Sequence, residues 1–177
     1  FIVVANTEEG EVALFMVAVD SKGITLTTDV LLDAGTYATV VFDQVEVAAS
    51  NRISGVGEGT ALLNDILNTA SICLSAEMLG MITEAFGQTV AYLKEREQFG
   101  KRIGTYQALQ HRAAIMFSEI ELCKSIVIQA LQALDSGADD IDQLASLAKA
   151  KLGKTIKLVT NEAMQMHGGI GVTDDVN

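Results

Sequence analysis

Short apolar runs broken by turn residues occupy the start of the chain, and helical periodicity occupies the rest. Phe1 to Ala5 is one short run, and Val12 to Val19 is a longer one. Ile24 to Thr27 and Thr39 to Val47 follow, both rich in β-branched residues that favour strands. Glu8-Glu9-Gly10, Asp20-Ser21-Lys22-Gly23 and Asp33-Ala34-Gly35 separate them as turns. About four strands so closely spaced predict an antiparallel sheet that needs partners outside the chain.

Gly55, Gly57 and Gly59 mark the change of period. Beyond them a first helix is predicted from Gly59 to Lys94, with Leu63, Ile66, Ala70 and Cys73 on one stripe. A second covers Tyr106 to Leu134. Its apolar positions Leu109, Ala113, Met116, Ile120, Cys123, Val127, Ala130 and Leu134 alternate steps of four and three, the seam of a helix packed lengthwise in a bundle. Gly137 ends it by supplying a left-handed residue, and Asp139-Asp140 offers a cap and negative charge to the next helix. The third helix repeats the seam with Ile141, Ala145, Ala148, Leu152, Ile156, Val159, Ala163 and Met166, and stops at Gly168-Gly169. Three antiparallel helices of about 45 Å with short loops make most of an up-down bundle.

The 177 residues contain no Pro, where an average chain carries about 5%. That absence favours long uninterrupted helices. Lys and Arg number 12 against 23 Asp and Glu, a net charge of −11, so there is no global basic field to attract nucleic acid or an anionic membrane. No apolar run reaches the about 18 residues of a membrane span, and no secretory signal pattern opens the chain. Cys73 and Cys123 stand outside any zinc or redox spacing and are expected as buried reduced thiols of a cytosol-like compartment. The chain opens on Phe1 without a methionine and closes on Val176-Asn177 without a helix cap, as expected of a piece of a longer protein.

Two segments could carry chemistry. Lys94 to Arg102, followed by Ile103-Gly104, concentrates cations beside a Gly-containing turn. It reads either as a solvated helix end or as an anion site in which Arg96 makes a bidentate contact. Gln165-Met166-His167-Gly168-Gly169-Ile170-Gly171 reads either as a helix-ending turn or as a place where backbone approaches a ligand closely. It lacks the strand-before-helix context of a dinucleotide fingerprint. His111 and His167 have no partners at ligand spacing, so no metal site is expected, and His111 has a surface or packing role.

Taken together, three strings in this order resemble the acyl-CoA dehydrogenase family: Tyr92 to Lys101 (Tyr-Leu-Lys-Glu-Arg-Glu-Gln-Phe-Gly-Lys), Tyr106-Gln107-Ala108-Leu109-Gln110-His111, and Glu162 to Asp175 around the Gly168-Gly169 turn. Val41-Phe42-Asp43-Gln44-Val45-Glu46-Val47 is similar to the strand leaving that family's middle domain, with Ala48 where the motif usually has Pro. The resemblance implies an α+β, mainly α fold: residues 1–56 as the end of a middle β-domain and 57–177 as an incomplete C-terminal helical bundle. It implies FAD as cofactor, an acyl-CoA substrate, an electron-transfer flavoprotein as electron acceptor, and a homodimer or homotetramer. It implies a bacterial cytoplasmic or mitochondrial matrix location. By matching position, Arg96 meets the flavin pyrophosphate with Gln98 and Phe99 beside it, and Gln107 adds hydrogen bonds. Gln165, Met166, His167, Gly168 and Gly169 pass close to the adenosine end of a neighbouring subunit's FAD.

The family reaction is α,β-dehydrogenation of the thioester, with a carboxylate as base. Some members carry that glutamate on the first bundle helix, where this chain has Ala70, followed by Ser71 in place of a substrate-facing arginine. Neither Asp65 nor Glu77 is placed to replace it, so the base is expected after residue 177. A helical oligomerisation module without catalysis, or a related flavoprotein oxidase, is the alternative.

Overall fold

A computed structural model describes residues 1–31 and 35–173. Asp33 and Ala34 of the third expected turn, Asp174-Asp175 of the last motif, and Val176-Asn177 lie outside the described residues. The chain divides into two compact units, Phe1–Ile66 and Leu67–Asn177. A 37-residue helix, α1 (Gly59–Glu95), begins in the first and continues in the second.

The first unit holds two antiparallel hairpins, not one four-stranded sheet. β1 (Ile2–Asn6) pairs with β2 (Val12–Met16), Ile2 opposite Met16, and β3 (Ile24–Val30) pairs with β4 (Thr36–Phe42), Ile24 opposite Phe42. Ala13 and Leu14, on opposite faces of β2, and Val17 just beyond it are the buried side chains of the first hairpin. Leu14 N–H donates to Ser54 Oγ, and Leu14 O accepts from Ile53 N–H, so the 53–54 segment occupies the edge that another strand would need. β3 and β4 are almost wholly exposed on both faces, and apolar alternation therefore had nothing to register. β4 ends at Phe42 instead of running to Val47 because Gln44 turns the chain with φ 51°. β3 continues past Thr27 to Val30, and Thr39 Oγ1 donates to Asp29 Oδ2 across the pair. Gly59 starts α1 where a β-carbon would collide with Val12 O at 2.0 Å, so only glycine fits.

The second unit is an up-down helical bundle: the rest of α1, α2 (Gln107–Ser136) and α3 (Ile141–His167). Its core has two parts. Ile82 and Leu93 of α1 meet Met116, Ile120, Cys123 and Val127 of α2 and Leu152, Val159 and Met166 of α3. Toward the other end Ile72 packs with Leu144 and with Ala130, Ala133, Ala145 and Ala148, alanines that let α2 and α3 approach closely. These groupings make α1 and α3 parallel, with α2 returning between their ends. Gly137 closes α2 in the left-handed conformation, φ 64° and ψ 42°, as expected of a C-terminal glycine.

The stripe expected on α1 is wrong. Ile66, Ala70 and Cys73 are exposed, and the buried seam runs through Ile72, Ser75, Leu79, Ile82, Phe86, Thr89 and Leu93. Two of its members are hydroxyls that satisfy themselves by donating to the preceding turn, Ser75 to Ser71 O and Thr89 to Ala85 O. Cys73 is accordingly an exposed thiol, while Cys123 is buried as expected. α1 is long and apolar enough to cross a membrane by length and composition alone. The sequence shows no unbroken run there because Asn64, Asp65, Asn68, Glu77 and Glu84 interrupt it. Asp140 does not cap α3 with its side chain: its backbone, φ −102° and ψ 15°, is outside the extended conformation that cap geometry uses. Asp142 supplies the first-turn charge and accepts from Asn68 of α1.

Thr155 is 1% exposed, and its hydroxyl has no hydrogen-bond partner among the described residues. Thr155→Val is therefore expected to stabilise the protein by about 1 kcal/mol in urea unfolding, by removing an unsatisfied polar group. Leu152→Ala, one turn away and fully buried, should cost about 3 kcal/mol.

Candidate functional site: a cationic pocket at two helix ends

α1 ends where the chain folds into a small hairpin, β5 (Glu97–Gln98) and β6 (Lys101–Arg102), with Glu97 opposite Arg102. Its two-residue turn is Phe99-Gly100, with φ 55° and 78°. Both central residues must be left-handed in such turns, and Asn-Gly is the usual solution. Phe99 holds that conformation at a cost of about 1 kcal/mol while its ring stays 89% exposed. Arg96 N–H donates to Tyr92 O and Arg96 O accepts from Ile103 N–H, so Arg96 is fixed between helix and hairpin. Gly104 lies so close to the end of α1 that a β-carbon would come within 2.6 Å of Leu93 O. Lys101 Nζ sits 4.1 Å over the Tyr106 ring, which leads into α2.

α3 ends beside this hairpin. Gly168 takes φ 64° and ψ −137°, and a short 3-10 turn, Gly168–Val172, follows. Gly171 packs under the last turn of α3, where a β-carbon would come within 2.6 Å of Met164 O. At Gly168 and Gly169, by contrast, a β-carbon would meet nothing within 4 Å, so their backbone faces open space.

Both ends open on one cavity of about 410 Å³, lined by Tyr92, Arg96, Gln98, Ile103, Met166, His167, Gly168, Gly169 and Ile170. Six of the residues singled out from the sequence meet here: Arg96, Gln98 and Met166 to Gly169. Gln165 faces a neighbouring cavity of about 360 Å³ with Asn161, Met164, Gly168 and Val172. Phe99, at the hairpin tip, and Gln107, exposed at the first residue of α2, line neither. Tyr92 was not assigned from the sequence, although an aromatic residue one helical turn before Arg96 was a signal available there. His111 is exposed on α2, and among the described residues no three His, Cys, Asp or Glu side chains gather as a metal would need.

The electrostatics of the pocket follow from its walls. Two helices present their C-terminal ends, which carry partial negative charge and give an anion no help. Positive charge must come from side chains, and Arg96 is the one fully charged residue in the lining. Among the described residues its guanidinium makes no ion pair, whereas Arg112 and Lys151 are tied to Glu162 and Glu119 between α2 and α3. A free, exposed guanidinium facing an unencumbered glycine backbone, with the amide of Gln98 alongside, is a donor set suited to a diphosphate.

Residues 57–177 match the family model for the acyl-CoA dehydrogenase C-terminal domain. The chain belongs to the acyl-CoA dehydrogenase family. It is 31% identical over 98% of its length to the mitochondrial short/branched chain specific acyl-CoA dehydrogenase of Bos taurus, of which it covers 41%. It is 34% identical over 97% of its length to the acyl-CoA dehydrogenase IpdE2 of Mycolicibacterium smegmatis, covering 52% of that protein. The solved structure of PigA with FAD and proline superimposes with a TM-score of 0.92 at 26% identity, over 99% of this chain and 47% of PigA. The chain thus spans about half the length of the relatives it matches. The acyl-CoA dehydrogenase bundle accounts for the mainly helical fold with small antiparallel sheets.

The turn at the pocket separates two glycines that look alike in sequence. Gly171→Ala should destabilise by about 2 kcal/mol through collision with Met164 O. Gly169→Ala should change stability by less than about 0.5 kcal/mol. Thermal unfolding of the two variants side by side checks the difference.

Proposed function

We propose that the protein carrying this chain catalyses the FAD-dependent α,β-dehydrogenation of an acyl-CoA thioester, and that this chain supplies the seat for the cofactor's adenine dinucleotide arm. The observation that carries the reading is the meeting of Arg96 with the open Gly168–Gly169 backbone in one cavity, in a chain of this family. Arg96 is assigned to the pyrophosphate, with Gln98 and Phe99 beside it and Gln107 adding hydrogen bonds. Gln165, Met166, His167, Gly168 and Gly169 are assigned to the adenosine end of an FAD, that of a neighbouring subunit on the family pattern. FAD, when bound, supplies the hydride acceptor that amino-acid side chains lack. The chain's own residues bind and orient that cofactor. The α-proton requires a carboxylate within hydrogen-bond reach. Ala70 and Ser71 provide none, and the base is assigned to the sequence after residue 177.

An exposed apolar stripe supports the same reading. Leu67, Leu74 and Met81 stand at seven-residue intervals along α1 with 54%, 42% and 56% of their surface exposed. Such a stripe on one helix face fits burial against another subunit, and a homodimer or homotetramer in the bacterial cytoplasm or mitochondrial matrix is proposed. An electron-transfer flavoprotein is the proposed electron acceptor. A second reading, flavin-dependent oxidation of a substrate other than an acyl-CoA, is supported by Ala70 and Ser71 and by the likeness to PigA, solved with FAD and proline.

Arg96→Ala in the intact protein should weaken FAD binding by about 1.5–3 kcal/mol, the range for a charge-assisted hydrogen bond, and Gln107→Ala by less. Equilibrium titration monitored by flavin fluorescence measures both, and unchanged affinity in Arg96→Ala would remove the assignment. Recording the bound-flavin spectrum against a panel of acyl-CoA thioesters and proline separates the two readings. Bleaching by a thioester is the expected result, and bleaching by proline alone favours the second. Light scattering at micromolar concentration should give a dimer or tetramer.

A further inference from the structure

The two walls of the Arg96 pocket lie far apart in sequence, and Tyr92 and His167 join them. The Tyr92 ring, one helical turn before Arg96, stacks on the His167 imidazole with centroids 4.5 Å apart and 29° between planes. The Tyr92 hydroxyl also lies 3.4 Å from the His167 carbonyl oxygen, within reach to donate to it. His167 is 7% exposed, and its Nδ1 is 2.8 Å from Ala163 O. A carbonyl can only accept, so Nδ1 carries the proton and the ring is tied back to its own helix. Gly168 and Gly169 have no side chains to anchor them. Their place relative to Arg96 depends on the residues either side, His167 before and Gly171 after, the latter packed under Met164 O.

We propose that Tyr92 and His167 are positioning residues that set the width of the pocket, holding the Gly168–Gly169 backbone at the adenosine end of the FAD whose pyrophosphate the Arg96 guanidinium takes. The inference rests on the FAD reading above and deepens it. Neither side chain is asked to contact the phosphates: Tyr92 acts through His167, and His167 acts through the backbone that follows it. Stacking needs the ring and not the hydroxyl, so phenylalanine at position 92 retains the device and leucine removes it.

The test is FAD affinity of the intact protein, read by fluorescence titration, beside thermal stability and proton NMR of the cofactor-free form. Tyr92→Leu and His167→Leu should each weaken FAD about tenfold, the double variant no more than either alone, and Tyr92→Phe by less than about twofold. The carbon-bound imidazole protons of His167 should be shifted upfield by the neighbouring ring in the wild type and in Tyr92→Phe, and not in Tyr92→Leu. Val159→Ala, which loosens the bundle core away from the pocket, should lower stability and leave FAD affinity unchanged. Additive losses in the double variant, Tyr92→Phe as weak as Tyr92→Leu, or an equal loss in Val159→Ala would each overturn the proposal. If Arg96→Ala weakens FAD while Tyr92→Leu does not, this inference alone fails. If Arg96→Ala binds FAD as tightly as wild type, the FAD reading fails and takes the inference with it.

Discussion

The pocket depends on α1 and α3 running parallel, with their C-terminal ends finishing side by side. That arrangement follows from packing: the seams of both helices bury against α2, which returns antiparallel between them. Two helix ends at one place create an electrostatic problem, because their free carbonyls repel an anion. The sequence answers with Arg96, placed by the hairpin one residue beyond α1 and left without an ion pair among the described residues. Many phosphate sites draw on a helix N-terminus. On the proposed reading a single side chain supplies the charge here, and the glycine backbone supplies access.

α2 and α3 could be read from their sequences almost residue by residue. Met116, Ile120, Cys123, Val127 and Ala130 on one, and Ala145, Ala148, Leu152 and Val159 on the other, are the buried seams that the spacing of apolar residues predicts. α1 could not, because it is apolar nearly all round and its seam includes Ser75 and Thr89, which a hydropathy reading places outside. Their hydroxyls bond within the helix, a compensation that only geometry reveals. The sheet failed for a related reason: alternation reports a buried face, and β3 and β4 bury none.

The site was legible in pieces. The cation-rich hairpin and the glycine turn each looked like an ordinary helix end, and each was weak evidence alone. Family resemblance raised both, and the fold adds what neither spacing nor resemblance supplied, that Arg96 and Gly168–Gly169 line a single cavity in one chain. Tyr92 was passed over because an aromatic residue on a helix is ordinarily core. Its partner lies 75 positions away. By contrast, Ala70 and Ser71 differ from the catalytic pattern that some members of the family are expected to carry, within a bundle whose packing is intact. Scaffold and chemistry answer to different residues.

Competition with ADP tests most directly whether this pocket takes the adenosine diphosphate arm of FAD and not its ring. With FAD prebound to the intact protein, ADP should displace it and riboflavin should not, and Arg96→Ala should weaken ADP and FAD together. Displacement by riboflavin with indifference to ADP would contradict the account.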